Sequence, residues 1–170
     1  LLLDYYVEKQ EVWPMTERYF DQPFLWCYLG NFGGNTMLAG NLNTVRERLD
    51  NTFAKGGNGM RGIGSTLEAL DVNPVMYDFV FDQAWGQEKT APIDWIRQYA
   101  ASRCGSSDPS FLKAWELLAT RIYTQPAVLG QGPLTNARPT LTGHGNWSTN
   151  PAIHYDNREL FEVWKLLLQT

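Results

Sequence analysis

An apolar, aromatic run that ends in a loop of glycine and asparagine most constrains what this chain can fold into. Residues 24–29, FLWCYL, have the length and bulk of a buried strand. Small and polar residues that permit tight turning and close backbone approach follow at once: Asn31, Gly33, Gly34 and Asn35. Barrels of strands and helices carry their active sites on loops at the carboxyl ends of their strands. The stretch therefore predicts a functional loop at one edge of a sheet.

Strand-like and helix-like segments alternate over the first half of the chain. Strands are predicted at 1–6, 24–29 and 60–66. Helices are predicted at 36–53 and 73–84, and a mixed polar and aromatic linker at 7–22. Because strands that alternate with helices pair in parallel, we expect a parallel sheet.

The second half of the chain is predicted to be helical. From about residue 90 the pattern gives helices at 93–102, 110–123 and 157–168, with a polar loop rich in Gly and Pro at 125–151. The change from alternating elements to helices alone predicts a domain boundary near residues 86–90.

Composition excludes several classes of protein. The 170 residues are 44% hydrophobic and 19% charged, which is typical of a soluble globular protein. The sequence contains no run of about 18 apolar residues, which is the length that would predict a membrane span. The net charge of -4 has no block of one sign behind it, which argues against a nucleic-acid-binding surface. Two cysteines, Cys27 and Cys104, are too few for a disulfide scaffold or a CxxC metal site.

Both ends of the sequence lie inside elements that look buried or packed. The chain opens on the strand-like residues 1–6 and stops inside an amphipathic helix-like segment at 159–168 that has no cap. We therefore expect an internal part of a longer protein, in which case a missing leader sequence says nothing about location.

Four uncommon motifs recur in one order and at spacings that match a known family. They are PFLWCYLGNFGGN (23–35), GIGSTLEALDVNPVMYDFVFDQAWG (62–86), IDWIRQYAASRCG (93–105) and AWELLATRIY (114–123). Together they resemble the α-N-acetylglucosaminidase family, glycoside hydrolase family 89. The closing segment, ARPTL through HYDNRELFEVWKLLL, is similar to the family's helical C-terminal region.

The resemblance implies a fold and an activity. The family has a (β/α)8-like barrel followed by an all-α domain, so we expect the last part of a barrel at 1–88 and the start of the helical domain at 89–170. The expected activity is removal of terminal, non-reducing α-linked N-acetylglucosamine from a glycan, with retention of configuration. Family members use two glutamates and neither a metal nor an organic cofactor. They are usually lysosomal, secreted or periplasmic, which implies an extracytoplasmic location.

Glu68, in GIGSTLEAL, occupies the place of the family's nucleophile. The family usually has Pro before this residue and Gly after it, where this chain has Leu67 and Ala69. The family's acid/base glutamate follows an Asn several strands upstream, and no Asn-Glu pair occurs here. We therefore expect the preceding half of the barrel to supply the proton donor, and this chain alone to be inactive. From its position alone, Glu68 could instead be a solvated charge at a helix start.

Further candidate residues lie at the same predicted edge. Asp4 is either an acceptor for a sugar hydroxyl or an anchor for the following loop, and Tyr5 follows it at the end of the first strand. Trp26 either stacks on a sugar or belongs to a packed layer of the barrel. Cys27 either lines the pocket or is an ordinary buried thiol. Asn31 either bonds sugar hydroxyls or forms an Asx turn.

An alternative hypothesis is that the chain is a non-catalytic carbohydrate-binding or helical interaction module. Seven Trp and eight Tyr suit sugar binding, although composition alone favours burial of these side chains in a core. His144 and His154 have no partners at metal-ligand spacing, and Asn146 begins a glycosylation sequon, so none of the three is assigned a role.

Overall fold

A computed structural model describes residues 1–34, 37–70, 72–85, 90–125, 141 and 153–170. The sequence predictions made for Asn35, His144 and Asn146, and most of the expected boundary at 86–90, lie outside these residues.

Three parallel strands form one sheet, as the sequence predicts, and their order in it is β1-β2-β3. They are β1 (Leu2–Tyr5), β2 (Phe24–Tyr28) and β3 (Met60–Ser65). Because β2 pairs on both sides, it sets the register of the whole sheet. Trp26 stands opposite Asp4 on β1 and Ile63 on β3, and Cys27 stands opposite Tyr5 and Gly64.

Besides a four-residue turn at Glu17–Phe20, the described residues form five longer α-helices that surround and follow the sheet. They are α1 (Leu42–Lys55), α2 (Pro74–Trp85), α3 (Pro92–Cys104), α4 (Pro109–Leu117) and α5 (Asn157–Leu167). The sequence pattern predicts each of them. The prediction that a helix starts at residue 36 is wrong, because α1 begins after Asn41, whose side chain accepts a hydrogen bond from the Thr44 N–H. A π-helical turn, Leu118–Ile122, continues α4.

The linker between β1 and β2 contains a turn that the sequence did not predict. A 3₁₀ helix at Trp13–Thr16 is followed by Glu17–Phe20 and Asp21, where φ lies between 49° and 60°. Non-glycine residues rarely adopt this left-handed conformation, because Cβ then approaches the following carbonyl. An ion pair of 3.0 Å between Arg18 and Asp21 lies across the turn.

The two faces of the sheet have different surroundings. Phe24, Trp26 and Tyr28 of β2 point toward α1 and α2 and are at most 1% exposed in the core. On the opposite face, Leu3 and Tyr5 of β1 are 53% and 45% exposed. Since side chains alternate along a strand, Asp4 lies on the helix-covered face and Tyr5 on the open one.

The loop before α1 is tied to the helical part of the chain. The Gly40 N–H donates to the carbonyl of Gln125 at 2.8 Å. The Tyr123 hydroxyl donates to Asn73 at 3.2 Å, and the Asn73 amide donates in turn to the carbonyl of Met37 at 2.8 Å. The end of the π-helical turn therefore holds both the loop before α1 and the start of α2.

No helix within the described residues combines the length and the apolar character needed to cross a membrane.

The fold predicts different costs for two glycine substitutions. Gly30 and Gly105 both have left-handed φ, of +77° and +62°. A Cβ on Gly30 would lie 2.6 Å from the Tyr77 hydroxyl, whereas a Cβ on Gly105 would meet nothing within 4 Å. We expect Gly30→Ala to lower the free energy of unfolding by about 3 kcal/mol or more. Gly105→Ala should cost only the backbone term of about 1 kcal/mol.

Urea denaturation of both variants in the full-length protein measures this difference. Equal losses would mean that the contacts around Gly30 relax without cost.

Candidate functional site

The candidate site lies where the three parallel strands end. Tyr5 is the last residue of β1, Asn31 lies shortly after β2, and Glu68 lies shortly after β3. Because parallel strands present their carboxyl ends at one edge, side chains from separate parts of the sequence meet there. The structure brings these three predicted residues together.

Two donors hold the carboxylate of Glu68. The Tyr5 hydroxyl donates to Oε1 at 3.2 Å, and the backbone N–H of Gly33 donates to Oε2 at 2.5 Å. Glu68 itself remains exposed. Its carboxylate is therefore fixed in direction by β1 and by the loop after β2, and it is still open to a reactant.

Asn31 ties the loop after β2 to the segment that carries Glu68. It accepts a hydrogen bond from the Glu68 N–H at 2.9 Å and donates one to the carbonyl of Ala69 at 2.9 Å. The residue is only 1% exposed. This bridge differs from both roles that the sequence suggested for Asn31, a sugar contact and a local turn. It fixes the backbone on either side of the Glu68 side chain.

Asp4 is completely buried on the helix-covered face. Its oxygens accept hydrogen bonds from the N–H groups of Val12, at 3.1 Å, and Trp13, at 3.0 Å. Burial raises the pKa of Asp4, and these two N–H groups oppose that rise. Contacts of this kind are expected if Asp4 anchors the loop that follows β1, which is one of the two roles predicted for it from the sequence.

Trp26 is also fully buried, among the side chains between the sheet and its helices. Its indole N–H donates to Glu11 at 2.8 Å. The ring therefore belongs to a packed layer between the sheet and its helices, which is one of the two roles predicted for Trp26. It lies on the face of the sheet opposite Tyr5.

Cys27 and Tyr5 share the open face of the sheet. Cys27 is 2% exposed, and a Cβ on Gly64 would lie only 3.0 Å from its sulfur. Burial raises the pKa of Cys27 to about 11, and the charge of Asp4 adds to the rise. The thiol is therefore protonated and unsuited to act as a nucleophile. Burial, and then the charge of Glu68, raise the pKa of Tyr5, which therefore stays a donor.

Glu8 is an important residue near the site that sequence reasoning missed. Its side chain is 0% exposed and accepts hydrogen bonds from the Leu29 N–H, at 3.1 and 3.2 Å, and from the Gly30 N–H. Burial raises the pKa of Glu8 to about 7, against the opposing effects of these N–H groups and of Arg48. Its sequence context, VEKQE, is that of a solvated loop and gives no signal of burial.

Among the residues that the structure describes, no three His, Cys, Asp or Glu side chains are grouped to hold a metal ion. The imidazole of His154 is part-buried and lies near the backbone of Ile122 and Leu38, and burial lowers its pKa.

Two family descriptions match the chain. Residues 1–87 match the α-N-acetylglucosaminidase (NAGLU) tim-barrel domain, and residues 95–170 match the α-N-acetylglucosaminidase (NAGLU) C-terminal domain. The chain belongs to the α-N-acetylglucosaminidase family. The resemblance inferred from the motifs is confirmed. The expected fold class is confirmed in part: the strands form a parallel sheet accompanied by helices, and residues 1–87 match a tim-barrel domain.

A human relative and bacterial structures support the same assignment. The chain is 32% identical to human α-N-acetylglucosaminidase over 169 residues, which is 99% of this chain and 22% of the human protein. It is similar to a family 89 glycoside hydrolase from Clostridium perfringens solved with PUGNAc, with a TM-score of 0.83 and 26% identity over 98% of this chain and 19% of that one.

Another structure of the Clostridium perfringens enzyme bears on the substrate. In it two glutamates are replaced by glutamines, and the protein is bound to its substrate, GlcNAc-α-1,4-galactose. The TM-score is again 0.83, with 26% identity over 98% of this chain and 19% of that one. The chain thus spans about a fifth of the length of these relatives, 22% and 19%.

The buried carboxyl of Glu8 predicts a pH-dependent stability. Its pKa is about 7 in the folded protein and about 4.5 in the unfolded chain, so the folded state holds the proton more tightly. This contribution is fully present below pH 4.5 and is lost as the pH rises to about 7. It amounts to on the order of 3 kcal/mol.

Urea denaturation of the full-length protein and of Glu8→Gln, between pH 4.5 and 7.5, checks this expectation. The wild type should lose stability relative to the variant as the pH rises, because Gln does not titrate. Parallel curves would mean that Glu8 is ionised throughout.

Proposed function

We propose that this chain is the part of an exo-acting glycoside hydrolase that carries the catalytic nucleophile, Glu68. The enzyme removes terminal, non-reducing α-linked N-acetylglucosamine from glycans, with retention of configuration. The chain corresponds to the last part of a (β/α)8-like barrel at 1–88 and the start of an all-α domain at 89–170.

The observation that carries the proposal is the arrangement of donors around Glu68. An exposed carboxylate at the carboxyl edge of a parallel sheet, oriented by a tyrosine hydroxyl and a backbone N–H, meets the needs of a nucleophile that must attack in one direction. A solvated helix-start glutamate would not need two donors from separate elements. Similarity to enzymes of this specificity supports the substrate class.

In the first step one oxygen of Glu68 attacks the anomeric carbon of the terminal sugar. A new C–O bond forms as the bond to the aglycone breaks, and an acid outside this chain protonates the departing oxygen. Inversion at the carbon gives a glycosyl-enzyme of β configuration. Tyr5 and Gly33 keep the carboxylate aimed during the attack, which is where most of their effect would lie.

In the second step water attacks the same carbon from the face that the aglycone left. The residue that gave its proton now takes one from the water, and the Glu68 carboxylate departs. The second inversion restores the α configuration, and no cofactor takes part. The two carboxyl groups of such enzymes stand roughly 5–5.5 Å apart.

We further propose that the preceding half of the barrel supplies the proton donor. The relatives are about five times longer than this chain. The matches to them cover 99% and 98% of this chain. The open face of the sheet, with Leu3 and Tyr5 exposed, would then line the inside of the complete barrel. The family relationship suggests an extracytoplasmic location.

Replacement of Glu68 tests the mechanism. We expect Glu68→Ala in the full-length protein to lower kcat on an aryl α-N-acetylglucosaminide by roughly 10⁴-fold or more, because no glycosyl-enzyme can form. Added azide should restore turnover by entering the space left by the carboxylate, with a β-glycosyl azide as product. Product analysis by NMR gives the configuration.

Glu47→Ala is the matched control, since Glu47 is an exposed carboxylate on α1 away from the site. It should leave kcat unchanged. Full turnover by Glu68→Ala would place the nucleophile elsewhere. No turnover by the wild type, combined with measurable binding of the sugar, would favour the carbohydrate-binding alternative.

Removal of the Tyr5 hydroxyl should weaken catalysis more than binding. We expect Tyr5→Phe to lower kcat by about 10- to 100-fold, since a hydrogen bond to a charged group contributes about 1.5–3 kcal/mol. Steady-state kinetics of the full-length protein should show a nearly unchanged KM. A rise in KM at constant kcat would assign the hydroxyl to the substrate instead.

A further inference from the structure

A buried carboxylate without a part in the proposed chemistry lies next to the candidate site. Glu8 follows β1 closely and has no solvent exposure. Burial of a carboxyl group is costly unless the group is hydrogen-bonded, so Glu8 must keep its hydrogen-bond partners in place. The positive charge of Arg48 on α1 acts on Glu8, and the guanidinium of Arg48 donates to the carbonyl of Val7 beside it.

Glu8 and a tyrosine hold the end of β2 from two sides. The carboxylate accepts the N–H groups of Leu29 and Gly30, and the hydroxyl of Tyr77 on α2 donates to the Leu29 carbonyl. Gly30 has a φ of +77°, and a Cβ there would lie 2.7 Å from the ring of Tyr28. The backbone is thus fixed at the point where it leaves the sheet.

The chain before Glu8 is folded back onto β2 in the same region. Tyr6 has a φ of 75°, and its N–H and that of Val7 both donate to the carbonyl of Cys27, at 3.2 and 3.3 Å. The ring of Tyr6 stacks on Phe32 of the following loop, with centroids 5.2 Å apart. This turn delivers the Glu8 side chain to the end of β2.

Two of the three residues that hold Glu68 follow this fixed point within three residues. Asn31 is the neighbour of Gly30 and bridges the backbone on both sides of Glu68. Gly33 donates its N–H to the Glu68 carboxylate. A movement of Gly30 would be transmitted to both.

We propose that Glu8 is a positioning residue that aligns Glu68 by clamping Leu29 and Gly30. The inference rests on the proposed function, since it concerns the orientation of the same nucleophile. A displacement of about 1 Å at a reacting group costs roughly 10²-fold in rate, so the clamp acts on kcat even though Glu8 touches no substrate.

Two variants of the full-length protein weaken the contacts of Glu8 to different extents and so test its role. Glu8→Gln keeps the volume and one acceptor oxygen but places an NH₂ group near the Leu29 N–H. We expect kcat on the aryl α-N-acetylglucosaminide to fall about 10-fold with KM nearly constant. Glu8→Leu removes both acceptors, and kcat should fall about 100-fold or more.

Glu11→Leu separates positioning from general stability, because it removes the oxygen, Oε1, that accepts three side-chain hydrogen bonds. Glu11 accepts hydrogen bonds from the indoles of Trp13 and Trp26 and from the hydroxyl of Thr52, and these three partners lie on the helix-covered side, outside the loop after β2. This variant should lower the melting temperature and leave kcat of the folded protein at the wild-type value.

Hydrogen exchange followed by mass spectrometry supplies a readout that does not depend on which residue is the nucleophile. In Glu8→Gln, protection should fall in peptides that cover residues 29–33 and 66–69 and stay unchanged over α1 (Leu42–Lys55). If Glu68→Ala remained active while this change occurred, the proposed function would fail and the clamp would stand.

The clamp itself would be refuted by any of three results. One is a folded Glu8→Gln or Glu8→Leu protein with wild-type kcat. The second is a loss of kcat matched by Glu11→Leu at an equal loss of melting temperature. The third is failure of both Glu8 variants to fold, which would assign Glu8 to stability alone.

Discussion

The hydrogen-bonded pairing of β2 with a strand on each side is the constraint on which the rest of this structure depends. It sets the register of the sheet, which shifts only between Phe24 and Leu25 in the pairing of β2 with β3. That register separates Asp4, Trp26 and Ile63 from Tyr5 and Cys27. The first three face the helices, and the other two face away from them. It also aligns the ends of the three strands, so that residues 5, 31 and 68 meet at one edge.

Two buried carboxylates, Asp4 on β1 and Glu8 shortly after it, solve similar problems. Asp4 accepts hydrogen bonds from the N–H groups of Val12 and Trp13 and fixes the middle of the linker, and Glu8 accepts those of Leu29 and Gly30. Each satisfies backbone donors that have no partner in the sheet ladder. Irregular backbone near the site is therefore held by side chains from the same short stretch of chain.

Much of this arrangement could be predicted from the sequence, for identifiable reasons. The strands are bulky and bounded by turn residues, and the rule that parallel strands end together places Tyr5, Asn31 and Glu68 at one edge. The direction of Trp26 was not predictable, because β2 is apolar throughout and has no alternation to give its phase. The left-handed turn at Glu17–Phe20 contains no glycine, and Glu8 sits among charged residues, so neither carries a local signal.

The bonds from residues 123 and 125 to the loop before α1 and the start of α2 bear on how the protein can be divided. The loop that contacts Glu68 is also the loop whose far end these residues secure. A recombinant piece cut at the end of α2 would therefore keep all three strands and still release one end of that loop. The unit that must be kept intact for the site extends past the sheet to the π-helical turn, and the division suggested by the change from strands to helices is not a safe place to cut.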